Sequence, residues 1–316
     1  MLRLFCVLGL LLPAASARAQ QEGACPPPPP SQESLRPDDL HRDVRDRGLL
    51  WRVEKGGRTS WLYGTVHVNR VEWVVPGPGV QEALSRSDVL ALELDPGDPD
   101  LARLLEQPGD AAREARVVEG LQPRIAQLAR RACLPPERLA TMRPLFQLMM
   151  LGFVEGRRGG FHPEFSVDLV LHGLAKRTGK AIAPLETAAG QMAALVPQTE
   201  ADERVLMQRG LEDLESGESR ATLDRMLQAW ARGDAAALAS YPQWCGCLDT
   251  EAEQRFFRRV NDERNAGLAE RIDKLHAKGQ RVFAAVGALH MTGPQSLPVL
   301  LRARGYQVQA VPLLTR

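Results

Sequence analysis

Neither sign of charge dominates this 316-residue chain: 40 Lys and Arg against 39 Asp and Glu leave a formal +1. Without an excess of positive charge, and with no nucleic-acid-binding motif, nothing draws the chain to a polyanion or an acidic membrane. The expected partner is a peptide or small-molecule substrate, not a nucleic acid. No Gly-x-Ser-x-Gly segment is present, so a nucleophilic serine on a strand-to-helix elbow has no support. No apolar run after the amino-terminal stretch is long enough to span a bilayer, so no membrane anchor is expected in the mature chain. Cysteine is scarce, with five in all.

What is present begins with a targeting signal over residues 1–19. Arg3 supplies a basic start, Leu4 to Leu12 a short apolar run, and Ala17-Arg18-Ala19 the small residues of a cleavage site. The expected location is periplasmic or secreted. Glu22 stands where a lipid-modified cysteine would have an aliphatic residue before it, which argues against a lipid anchor on Cys25. Four cysteines remain after cleavage: Cys25, Cys133, Cys245 and Cys247. An even set in an exported chain predicts two disulfides. A Cys245–Cys247 bridge would close a very tight ring, so Cys-Gly-Cys is expected to act as a double staple to Cys25 and Cys133. A metal-binding or redox Cys-x-Cys is the alternative, with no second cysteine pair beside it.

Residues 20–48 form a Pro-rich leader, with Pro26 to Pro30 as a stiff polyproline spacer. A single domain is expected over 49–316. Residues 51–54 and 60–63 read as a hairpin around Gly56-Gly57, 79–86 as a short helix, and 89–94 as a buried strand. A helical insertion follows over about 99–278, with one strand at 181–185. Residues 281–286, 296–304 and 306–311 close the chain as strand, helix and strand. The apolar stretch Trp61-Leu62-Tyr63 runs into Gly64-Thr65-Val66-His67, and residues 282–286 run into Gly287-Ala288-Leu289-His290. The expected fold class is α/β: a central mixed sheet of pseudo-symmetric β-GxxH-α-β units interrupted by helices.

Glycine after a strand permits a sharp turn and keeps space clear beside the next side chain, and such strand ends line ligand crevices in α/β sheets. His67 and His290 are therefore candidate functional residues. Glu93 lies in an otherwise apolar strand, where a carboxylate must be paired, metal-bound or protonated. On a helix over about 250–278, Phe256, Phe257, Val260, Leu268, Ile272 and Leu275 recur at helical spacing, and Arg264 falls within that apolar stripe. A guanidinium there needs an anionic partner or a ligand. Asn265 lies on another flank. Asp168 and His172 share a helix face as metal pairs do, although the helix N-terminus alone favours Asp168. Glu186 follows the predicted strand at 181–185. Asn265, Asp168 and Glu186 are weaker, substrate-binding candidates, and His41, His162 and His276 are assigned to solvent.

In order along the chain, Gly64-Thr65-Val66-His67, Glu93-Leu94-Asp95, Ser166-Val167-Asp168, Leu185-Glu186-Thr187, Glu263-Arg264-Asn265 and Gly287-Ala288-Leu289-His290 resemble the TraB/GumN family, as do Gly293 and Gly305-Tyr306-Gln307-Val308. The resemblance covers about 49–312; one departure is Ser166, where the family often has glycine. The family is related to Tiki-type metalloproteases, and more remotely to erythromycin esterases and a haem-binding ChaN-type protein. The resemblance implies an active-site cluster of His67, Glu93, Arg264 and His290. Three chemistries fit that set. The leading expectation is a metal-assisted hydrolase, the others being alternatives: His67, Glu93 and His290 suit Zn, Mn or Co, with a metal-bound water attacking an amide bond and Arg264 holding the oxyanion. Without metal, one histidine serves as base beside Glu93. A non-enzymatic module would use a histidine as axial ligand to haem iron.

Overall fold

Alternation of buried Trp51 and Val53 with Arg52 and Glu54, followed by Gly56 and Gly57 at φ 58° and 72°, folds the start of the domain into a hairpin. Its strands are β1 (Leu49–Lys55) and β2 (Arg58–Thr65). The computed structural model describes residues 25–313 except 32, 34, 42 and 108, so the signal expected over 1–19 lies outside the described residues. Helix α1 (Pro78–Ser85) leads to β3 (Val89–Leu92), buried throughout; it ends two residues before the predicted boundary and leaves Glu93 just past its end.

The helical insertion opens with short helices between Pro99 and Leu139. It continues as α2 (Pro144–Gly156), α3 (Val167–Arg177), β4 (Ala181–Pro184), α4 (Ala188–Leu195), α5 (Glu200–Ser216) and α6 (Glu218–Ala231). Then come α7 (Glu251–Phe257), a π-helical turn (Arg258–Asp262) and α8 (Glu263–Ala277). Side chains of polar residues stop the frayed N–H groups at several starts: Ser166 accepts from Leu169 N–H at α3, and Thr250 and Glu253 form a capping box at α7. The chain closes with β5 (Val282–Gly287), α9 (Leu297–Ala303) and β6 (Gln307–Ala310).

The six strands pair in the order β4-β3-β5-β2-β1-β6. β1 runs antiparallel to β2 and β6, while β2, β5, β3 and β4 pair in parallel. This is the expected mixed α/β sheet. The two GxxH-bearing strands, β2 and β5, are direct neighbours with Thr65 opposite Gly287, so both loops leave the same edge. Leu62, Leu90 and Val282 to Val286 are wholly buried in the sheet core. A second apolar cluster, including Val117, Leu128, Met207 and Leu211, holds the insertion together. Among the described residues no helix is long and apolar enough to cross a membrane.

Two disulfides are present, but the expected pairing is wrong. Cys25 joins Cys133 and Cys245 joins Cys247. The tight ring closes because Gly246 takes φ 62°, a left-handed conformation open to glycine, and brings the two Cα atoms to 5.1 Å, within ordinary disulfide range. Disulfides are compatible with an extracellular location. Two histidines assigned to solvent are buried instead. His276, 3% exposed, accepts from the Ser60 hydroxyl at Nδ1 (2.9 Å) and donates from Nε2 to the Lys55 carbonyl (3.0 Å). His162 is buried where its backbone bridges to Asn69. A charged segment marked His276 as surface and a loop before Pro163 marked His162, whereas tertiary pairing to the hairpin and to the first GxxH loop covers them.

Candidate active site

Gly64 and Gly287 let the two loops meet. The Gly64 carbonyl accepts the Trp230 indole N–H at 2.7 Å, and a Cβ at Gly64 would stand only 3.2 Å from Ala288 Cα. A Cβ at Gly287 would lie 3.3 Å from Glu93 Oε1, 3.4 Å from His290 Cδ2 and 3.9 Å from His67 Nε2. The missing side chain therefore leaves a small space that three of the candidate residues border.

His67 opens to this crevice, and its Nδ1 lies 3.0 Å from Asp168 Oδ2. Asp168 is fixed in turn by the Thr65 hydroxyl, which donates to Oδ1 at 2.8 Å. Partial desolvation lowers the proton affinity of the ring, but the charge and hydrogen bond of Asp168, with Glu93 nearby, outweigh it and lift the imidazole to about 9.

His290 has the opposite environment. It is buried, and its Nδ1 meets Asn265 Oδ1 at 2.7 Å. Asn265 is fully buried, with its Nδ2 donating to the Gln295 carbonyl at 3.0 Å, so the facing amide oxygen accepts from Nδ1–H. That leaves the lone pair on Nε2. Burial, then the positive charges of Arg264 and His67, push this imidazole down to about 4 against the pull of Glu93.

Glu93 sits between them, 7% exposed. Its Oε1 accepts the Gly287 N–H at 2.8 Å; its Oε2 accepts Gln191 Nε2 at 2.8 Å and Arg264 Nη2 at 2.5 Å. Burial alone would raise its pKa, but the charges of His290, Arg264 and His67 and the Gly287 N–H hold it down to about 2. Arg264 also pairs with Glu186, donating from Nε at 3.0 Å, and its Nη1 reaches Val260 O at 2.8 Å and stands 3.4 Å from His290 Nε2. The predicted stripe on 250–278 is thus interrupted by the π turn just ahead of Arg264, a feature that re-aims side chains at functional sites.

These groups form the polar floor of a cavity of about 510 Å³. Its apolar walls come largely from the insertion: Leu145 and Met149 on α2, Leu206 on α5, Met226 on α6, and Phe256 and Phe257 on α7.

The structure brings His67, Glu93, Arg264 and His290 together. Asp168, Asn265 and Glu186, read as substrate-binding candidates, do not line this cavity; each grips one of the four from behind. His172 stands apart from the site and pairs with Asp95 at 3.1 Å. Gln191, which bridges Glu93 and Glu186, was missed, although it is the lone polar side chain on the Ala-rich α4. As for a metal, among the described residues no three His, Cys, Asp or Glu side chains gather as ligands to an ion. In this arrangement Arg264 occupies the cationic place beside Glu93 and His290, so these donors would fit a divalent ion only with Arg264 displaced.

The model of the TraB/PrgY/gumN family matches residues 49–310. The chain is 27% identical over 257 residues to the uncharacterized protein YbaP of Shigella flexneri, covering 78% of this chain and 89% of that protein. It is 26% identical over 277 residues to the uncharacterized protein YbaP of Escherichia coli K12, covering 80% and 97%. No solved structure matches.

Proposed function

The chain belongs to the TraB/PrgY/gumN family, and from that premise we propose that it is an exported hydrolase that cleaves an amide or peptide bond by acid–base catalysis. One observation carries this reading: two histidines with unlike partners, a carboxylate behind His67 and a neutral amide behind His290, border one space beside the Glu93–Arg264 pair. Groups whose surroundings drive their proton affinities apart divide the acid and base roles. His290 takes a proton from water at Nε2 as the water attacks the carbonyl carbon. Arg264 offsets the charge that develops on the carbonyl oxygen. His67, held protonated by Asp168, delivers its proton to the leaving nitrogen. Glu93 fixes Arg264 and the Gly287 backbone.

A metal-assisted reading keeps one observation in its favour. Both rings are engaged at Nδ1 by a side chain, the way metal-bound imidazoles are oriented, and Nε2 of His67 faces the crevice. It requires Arg264 to leave Glu93 and His290, which would then join His67 as ligands. Hydrolysis of a fluorogenic peptide library by protein purified without added metal separates the readings. Acid–base catalysis predicts turnover that survives a chelator and is lost in both His67→Ala and His290→Ala. Loss on chelation with recovery on Zn²⁺, Mn²⁺ or Co²⁺ installs the metal reading. Hydrolysis indifferent to both substitutions removes the site, and a Soret band in the purified protein favours haem binding instead. Export predicts a mature amino terminus after Ala19, which terminal sequencing of the secreted or periplasmic protein reads directly.

A further inference from the structure

The Cys245–Cys247 disulfide lies at the wall of the cavity just described. Cys247 is half-buried and lines that cavity beside Tyr241 and Leu248, whereas Cys245 is 6% exposed behind it. The bridge ties residues two positions apart, so it constrains almost none of the chain, unlike Cys25–Cys133 with its separation of 108. A cross-link with so little to hold has poor grounds as a staple. Its surroundings favour chemistry. The Cys247 backbone N–H donates to Cys245 Sγ at 3.1 Å, a contact that stabilises negative charge on that sulfur. The Tyr241 hydroxyl donates to Cys247 Sγ at 3.3 Å. The Arg209 guanidinium, which also lines the cavity and is held in ion pairs with Glu212, Asp249 and Glu253, reaches the Gly246 carbonyl at 3.5 Å and ties the Cys-Gly-Cys turn to the cavity wall.

We propose that Cys245–Cys247 is a redox-active disulfide that exchanges with small thiols entering the crevice, with Cys247 as the attacked sulfur. A thiol loses its proton to water and its sulfur bonds to Cys247 Sγ. The Cys245–Cys247 bond breaks, and its electron pair leaves on Cys245 Sγ beneath the Cys247 N–H. A second thiolate attacks the adduct at the small-molecule sulfur and releases the Cys247 thiolate. Two small thiols are thereby oxidised to one disulfide, the protein disulfide is reduced to two thiols, and the two protons lost by the small thiols balance those gained by the cysteines. While the adduct persists it stands in the cavity.

Incubation of the native protein in reduced and oxidised glutathione mixtures, acid quenching, differential alkylation and peptide mass mapping test this directly. The expected result is reduction of Cys245–Cys247 that follows the buffer ratio while the fold, read by circular dichroism, is kept. Cys245→Ser is expected to trap glutathione on Cys247, and Cys247→Ser is expected to leave Cys245 unmodified until the protein is unfolded. Capture on Cys245 in preference to Cys247 in the native state overturns the proposal. So does a parent protein in which both cysteines stay oxidised across all glutathione ratios until denaturant is added; that second measurement needs no variant.

Discussion

His290 Nδ1 stands 2.7 Å from Asn265 Oδ1, and this neutral acceptor keeps the imidazole lone pair on Nε2. Replacing it by a carboxylate in Asn265→Asp gives His290 the kind of partner that His67 has. The proton affinity of His290 should rise from its present value near 4 by roughly 1 to 3 pH units. The acid limb of kcat/KM should move upward with it, because the base must be neutral. Histidine-resolved NMR titration beside a pH–rate profile checks this; a shifted titration with an unmoved rate profile removes His290 as the base.

Arg264 grips Glu93 and Glu186 at once, with all three side chains largely buried. Arg264→Lys keeps the charge but not the fork, and turnover should fall on the order of 10²-fold with the melting temperature nearly kept. Arg264→Ala leaves two buried carboxylates without their cation and should cost about 3–5 kcal/mol of stability. Denaturant unfolding and turnover measured on one sample separate the effects. A Lys variant as active as the parent takes Arg264 out of the chemistry.

Gly287 has φ −46°, so Ala is tolerated by the backbone there. The added methyl would enter the space bordered by Glu93, His290 and His67, at contacts of 3.3 to 3.9 Å. Gly287→Ala should fold with little loss of stability yet lower kcat by roughly 10²-fold, because it displaces the attacking water. Equal activity in the two proteins would mean that the reacting groups meet elsewhere.

Folding should be most favourable near neutral pH, and the two histidines set the slopes on either side. His67 is raised to about 9, so its contribution, reduced by solvent screening because the side chain is 61% exposed, is full below the unfolded value near 6.5 and is lost as pH rises toward 9. His290 is lowered to about 4, so its neutral form supports folding above 6.5 and that support is lost as pH falls toward 4. Glu93, lowered to about 2, adds a further loss as pH falls from its ordinary value of 4.5 toward 2. Melting temperature against pH for the parent and His290→Gln checks the acid slope: it should flatten between pH 6.5 and 4 in the variant.

The hairpin, the two GxxH strands and the four central residues were legible because their signals are local. Gly56-Gly57 marks a turn, a glycine after an apolar strand marks a loop, and Glu93 and Arg264 are charges in apolar surroundings. What was not legible depends on contacts made across the fold. Nothing in residues 258–262 announces a π turn. Asn265 appears on an outer flank until the β5–α9 connection covers it through Gln295 and His290. The cysteine pairing failed because ring tightness was weighed without the left-handed Gly246. His276 looked solvated until Ser60 and Lys55 of the hairpin closed over it.

β5 lies between β3 and β2, although it is translated after both and after the whole insertion. The strand in the middle of the sheet therefore becomes available only after every other strand but β6, and its pairing with β2 joins residues more than two hundred positions apart. Such non-local pairing comes late and slowly in folding. Glu93 cannot find the Gly287 N–H, nor Arg264 its His290 neighbour, in any chain that stops short of β5. A growing or unfolded polypeptide consequently carries every upstream side chain of the site but no assembled site.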